Sequence, residues 1–255
     1  MHITGVNTAI RLSDPVGLLA ARDAGVRDAF ESLGIDYYCA GDLTLDDAAR
    51  GAGMDPFSVR ARLEQSERGS GTAWDERSMR DLVTHLEHEH HQLLRSIIFH
   101  SAMLFDDVAS VYGTECVQTM RRLFRELSKL LILHVEKEEH TLFPLLLSLE
   151  DAWLESDPSL APDSHLHPAI ARLVIEHASI AAKLAELRGA GISIEESPAE
   201  ACRRLRDSLV ELERHVHESL NLENYVVFPR ALALEDDVLG SPPGSPAALS
   251  KGETS

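Results

Sequence analysis

Apolar residues recur at spacings of three and four through most of the chain, and no window alternates apolar and polar residues as a half-buried strand would. The pattern predicts an all-α protein. Residues 1–13 read as an N-terminal arm. From residue 14 to 65 the helical stretches are short: Pro15 opens one, Gly34 closes it, Asp46 and Asp47 start another, and Asp55-Pro56 starts a third. Together they predict a small helical domain. Ser66 to Glu76 is polar with two glycines and marks a linker. Four longer amphipathic windows follow, Glu76 to Val111, Thr114 to Ser148, Pro168 to Gly189 and Pro198 to Leu232. With modest connections between them, they predict an up-down four-helix bundle over residues 77–234. Residues 235–255 lack an apolar period and are rich in Pro, Ser and Gly, the composition of a disordered tail.

A polar residue on the stripe that faces a bundle core must find a partner there. In the second window Met120, Phe124, Leu127, Leu131, Leu142 and Leu145 form that stripe, and His134 and Glu138 interrupt it one turn apart. In the third, His177 shares a line with Ile170, Val174, Ala181 and Leu184. In the fourth, Glu223 intrudes among Leu205, Leu209, Leu212, Val216, Ser219 and Val226. The first window crowds His85, His88, His90 and His91 around Leu82, Leu86, Leu94 and Ile98, so at least one histidine should face inward. Imidazoles and carboxylates converging inside a bundle are the ligand set of di-iron and di-manganese sites. Residues four apart lie about 6 Å apart on one helix face, close enough for His134 and Glu138 to reach a common metal pair. Zinc suits the set less well, because no cysteine joins it and the candidates exceed four. A lone histidine on an apolar stripe is more often a satisfied core residue, and a lone His-Glu pair is as often a surface ion pair. The metal reading rests on three helices carrying such residues together. His85, His88, His140, His165 and His167 read as surface or outer residues.

Composition narrows the partners. The 255 residues carry 24 Lys and Arg against 42 Asp and Glu, a net charge of -18, which opposes phosphate backbones and anionic membranes. Neither nucleic acid nor a membrane is an expected partner. No leader-like or membrane-length apolar run occurs. The scattered Cys39, Cys116 and Cys202 form no disulfide framework and no zinc knuckle, so a reducing cytoplasm is the expected location. Seven of the 13 histidines fall between His85 and His140, which returns attention to the bundle.

Four stretches resemble one known family. HLEHEHHQLLR (85–95), HVEKEEHTLFP (134–144), LVIEHASI (173–180) and LENYVVFPRAL (222–232) are similar, in order and spacing, to the RIC (repair of iron centres) proteins. These are hemerythrin-like di-iron proteins associated with repairing iron-sulfur clusters after nitrosative and oxidative stress. ESLGIDYYCAGDLTLDDAA resembles their small cysteine-bearing N-terminal domain, of the ScdA type, so the likeness covers about Asp14 to Leu232. The resemblance implies a hemerythrin-like bundle with iron ligands His91, His134, Glu138, His177 and Glu223. His91 is implied because the family's ligand precedes a Leu-Arg pair, here Leu94-Arg95; periodicity alone favours His90. The resemblance further implies nitric oxide or dioxygen as diatomic ligand and iron-sulfur proteins as clients, and it admits a homodimer.

Two departures bear on that implication. The family carries a histidine four residues before the last glutamate, where this chain has Ser219. His215 lies one turn further back, about 5 Å away along the helix. A water-filled position, a mono-iron site or an unoccupied site would follow. The family also shows two adjacent cysteines before two glycines, whereas this chain reads Tyr38-Cys39-Ala40-Gly41, which puts any dithiol role in doubt. Cys116 and Cys202 read as helix residues without function. Alternatives to repair are an oxygen- or NO-binding or sensing module, a metal-free helical interaction protein, and a helix-turn-helix regulator. The last is disfavoured by charge: residues 36–68 hold four basic and seven acidic side chains, 4 minus 7 giving -3.

Overall fold

The computed structural model describes residues 9–38, 40–65, 74, 77–111, 115–162, 166–190 and 200–240. Among them helices dominate, and the one β-bridge joins Pro15 to Thr44. The chain divides into two compact units, residues 1–76 with 220–226, and residues 77–219 with 227–255.

In the first unit four short helices, α1 (Val16–Arg22), α2 (Ala24–Leu33), α3 (Leu45–Gly51) and α4 (Pro56–Gln65), enclose a core of Leu19, Val26, Phe30, Tyr37, Leu45, Val59 and Leu63. The stretch expected as one helix from Pro15 to Gly34 is two. Asp23 leaves helical geometry and its carboxylate accepts from the Gly25 amide, capping α2. Gly34 ends α2 in the left-handed region, φ 66°, the conformation glycine adopts without strain. Thr44 caps α3 through the Asp47 amide, and Asp46 and Asp47 occupy its first turn. From the expected arm, Ile10 and Leu12 pack on this core, and the Asp46 amide donates to the Leu12 carbonyl. Within the same unit Asn221 Nδ2 donates to the Gly17 carbonyl at 3.0 Å and Tyr225 donates to Asp42 at 3.2 Å. The Tyr225 ring lies where a Cβ on Gly17 or Gly41 would stand, so both positions require glycine. Cys39 lies outside the described residues.

Four long helices form the bundle: α5 (79–111), α6 (115–155), α7 (Leu166–Ala190) and α8 (200–240). Their side-chain pairs run in opposite senses along each neighbour, which defines an up-down bundle. Arg95 meets Glu139 and Arg121 meets Asp106 across α5 and α6. Lys137 meets Glu176 and Lys183 meets Glu126 across α6 and α7. Arg188 meets Glu213 and His167 meets Glu235 across α7 and α8. Ser101 meets Ser208, and His215 meets the His90 carbonyl, across α8 and α5.

Three differences from the expected stripes have local causes. On α7 the buried line is Ile170, Leu173, His177, Ile180 and Leu184, while Val174 is exposed. On α6 Leu146 is buried in place of Leu145. Helix α8 runs to Gly240, six residues beyond the expected end of the bundle, because Glu235 and Val238 are buried there. The remaining tail and most of the linker lie outside the described residues.

Candidate metal centre

Three of the long helices contain a wide π-helical turn, at Leu86–His91 in α5, Glu138–Leu142 in α6 and Glu223–Val227 in α8. Each turn closes i to i+5 bonds, and such turns concentrate at functional sites. Two of them precede Phe143-Pro144 and Phe228-Pro229. A proline lacks the amide that would bond four residues back and its ring crowds that carbonyl, so the helix opens there.

The wide turn in α5 sets His90 and His91 in different surroundings. A uniform helix continues the face of Leu82 and Leu86 to residue 90; the extra residue carries it to 91. His91 is accordingly 1% exposed, whereas His90 is half-buried with its ring between those of His85 and His215. Burial pushes the His85 pKa below its ordinary value.

The five residues implied by the sequence, His91, His134, Glu138, His177 and Glu223, are all buried. One donor atom from each of His134, Glu138, His177 and Glu223 lies within 4.8 Å of every other. The Nε2 atoms of His134 and His177 are 3.1 Å apart, with rings edge-on. The two oxygens of Glu138 face different histidines: Oε1 stands 3.6 Å from His134 Nε2, and Oε2 stands 3.3 Å from His91 Nε2. His91 thus joins the group on its far side.

An outer carboxylate orients each of two imidazoles. Glu139 Oε1 lies 3.0 Å from His91 Nδ1 and is clamped by both terminal nitrogens of Arg95 at 2.9 and 2.7 Å. Glu176 Oε2 lies 3.2 Å from His134 Nδ1, and Lys137 donates to its other oxygen at 2.5 Å. Burial acts to raise both carboxyl pKa values, but Arg95 with His91, and Lys137 with His134, hold them below the usual range. An ionised carboxylate only accepts, so each takes a proton from Nδ1 of its histidine, and Nε2 is the ring atom turned inward. Inward-facing ring nitrogens and carboxylate oxygens then converge in a buried cluster, an arrangement that is costly unless protons or a cation stand among them. The donors are nitrogen and oxygen with no thiolate, the set that suits iron and related divalent metals, and carboxylates behind ligating histidines are the usual support. The aromatic partners repeat: Phe143 stacks on His91 and Phe228 on His177, each at 5.5 Å.

Ser219 is buried on α8 one turn before Glu223. His215 is also buried, but its Nε2 lies 2.9 Å from the His90 carbonyl, directed at the backbone of α5. His88 and His140 are exposed, His167 bonds Glu235, and His165 lies outside the described residues. Cys202 is a buried core residue. Sequence periodicity missed Glu139 and Glu176. Their only signal was adjacency, one following Glu138 and one preceding His177.

The comparisons with known proteins agree with this architecture. Residues 81–231 match the hemerythrin HHE cation binding domain, and residues 12–67 match ScdA_N, a domain of unknown function (DUF542). An iron-sulfur cluster repair protein ScdA of Staphylococcus haemolyticus is 23% identical over 79% of this chain and 90% of its own length. Iron-sulfur cluster repair proteins YtfE of Edwardsiella ictaluri and Yersinia pseudotuberculosis are each 26% identical, over 86% and 85% of this chain and 96% of their own lengths. The chain belongs to the hemerythrin family, in the branch of RIC proteins that joins these two domains. Among the described residues no helix is long and apolar enough to cross a membrane.

Proposed function

We propose that this chain holds a non-haem di-iron centre inside its bundle and acts in the cytoplasm in repairing iron-sulfur clusters damaged by nitric oxide or oxidants. The observation that carries the reading is the position of Glu138, whose two oxygens face His134 on one side and His91 on the other. A carboxylate so placed suits a bridge between two metal positions. His134, His177 and Glu223 would hold one ion and His91 the other, with Glu138 shared. Iron held this way supplies binding of a diatomic molecule and a change of oxidation state. The protein's part is to keep Nε2 of His91 and His134 unprotonated through Glu139 and Glu176, and to exclude water with the stacked Phe143 and Phe228. The names of the ScdA and YtfE relatives support repair as the task, and iron-sulfur proteins would then be the clients.

The test uses an enzyme whose four-iron cluster has been inactivated by nitric oxide. Iron-loaded full-length protein is expected to restore its activity, and the metal-free protein and the His177→Leu variant are expected to fail. Equal recovery with the metal-free protein, or with free ferrous iron alone, would contradict the proposal.

A further inference from the structure

We propose that the two metal positions are unequal. The ion between His134 and His177 is held tightly, and the ion at His91 is held weakly and exchangeably, with an open coordination position beside Ser219. This rests on the di-metal reading above.

The chain's own two halves carry the argument. Residues 134–150 and 219–235 correspond one to one at a constant separation: Glu138 with Glu223, Phe143 with Phe228, Pro144 with Pro229 and Glu150 with Glu235. The structure repeats the correspondence in contacts. Phe143 stacks on His91 as Phe228 stacks on His177. Glu150 accepts the first amides of α5, from Met79 and Arg80, and Glu235 accepts the Leu166 amide that opens α7. Helices α5–α6 and α7–α8 are therefore two versions of one helix pair, each bringing a histidine and a glutamate inward. Under the correspondence His134 becomes Ser219, and Glu176, which orients His134, becomes His90. Both members of one ligand-and-support pair have changed.

The consequence is a count of imidazoles. One position is approached by His134 and His177, whose Nε2 atoms are 3.1 Å apart; the other is approached by His91. His215 does not make up the difference, since its Nε2 is directed to the His90 carbonyl. A neutral serine hydroxyl is a poor substitute for an imidazole. Water or another small exogenous donor would complete the His91 position, and a hydrated ion leaves more readily than one enclosed by protein.

The experiment titrates cobalt(II), a divalent probe with visible ligand-field absorption, into metal-free full-length protein under anaerobic chelator competition. Metal analysis after desalting follows. Wild type is expected to retain one equivalent and to bind a second at least about tenfold more weakly. His91→Ala should lose only the weak equivalent, His134→Ala should lose the tight one, and Ser219→His should retain two. A single two-equivalent step in wild type would overturn the proposal. So would a Ser219→His variant that melts cooperatively yet leaves the second affinity unchanged, or loss of the second ion in His90→Ala, which would make His90 the missing ligand. Failure of wild type to bind cobalt or iron would instead remove the di-metal reading itself. If Ser219→His does not fold, the contrast between His91→Ala and His134→Ala decides.

Discussion

Glu139 and Glu176 show how much of the centre depends on residues that never face its middle. Both stay anionic although partly buried, because Arg95 and Lys137 offset the cost of burial, and each engages Nδ1 of a histidine so that Nε2 is turned inward. Glu176→Gln keeps the shape and removes the charge. It should lower affinity for the tightly held ion by about 10–100-fold while leaving the melting temperature of metal-free protein nearly unchanged, read by chelator competition and circular dichroism. An unchanged affinity would remove Glu176 from the account. The burial of His134 and Glu138 was legible in the sequence because they interrupt an apolar stripe at helical spacing. Glu176 was not, because it sits off the stripe of α7 and acquires its role only from the helix packed opposite. On the same helix the sequence favoured Val174, and the structure buries Leu173. In the run Leu173-Val174-Ile175 every position is apolar, so periodicity has nothing with which to choose.

At the scale of the helix, the wide turns explain where a uniform 3.6-residue period fails. Reading α5 as a uniform helix points to His90, and reading α6 so points to Leu145; beyond each wide turn the inward positions move by one residue, to His91 and Leu146. Pro144 and Pro229 fall inside windows read from the sequence as continuous helices, and a proline alone tells little about whether a helix stops, kinks or widens. The buried acids of α6 and α8 were likewise unreadable as caps, since their partners are amides at the start of other helices. Glu150 accepts the Met79 amide at 2.5 Å and the Arg80 amide at 2.9 Å, satisfying donors that the first turn of α5 cannot satisfy itself. Glu150→Ala should cost about 1–2 kcal/mol, lowering the melting temperature by roughly 2–4 °C per kcal/mol in a chain of this size. A melting temperature equal to wild type would show that water serves those amides as well.

For the whole molecule, the helical class, the small domain before the bundle and the four long helices followed from hydrophobic spacing and from Pro, Gly and Asp punctuation. These signals are local. The bundle's end was misplaced because the sequence from Glu235 looks solvent-exposed, while in the fold Glu235 caps α7 and Val238 packs. Placing three imidazoles and two carboxylates among leucines destabilises a metal-free bundle, so bound metal should return that stability. At a free metal concentration a hundred times the dissociation constant, the gain is about 2.7 kcal/mol. The most direct measurement is metal analysis of anaerobically purified full-length protein, paired with thermal melts before and after chelation. At least one iron per chain is expected, with a lower melting temperature once it is removed. Protein that carries no metal and takes none up, and whose His134→Leu, Glu138→Leu double variant melts higher than wild type, would contradict it.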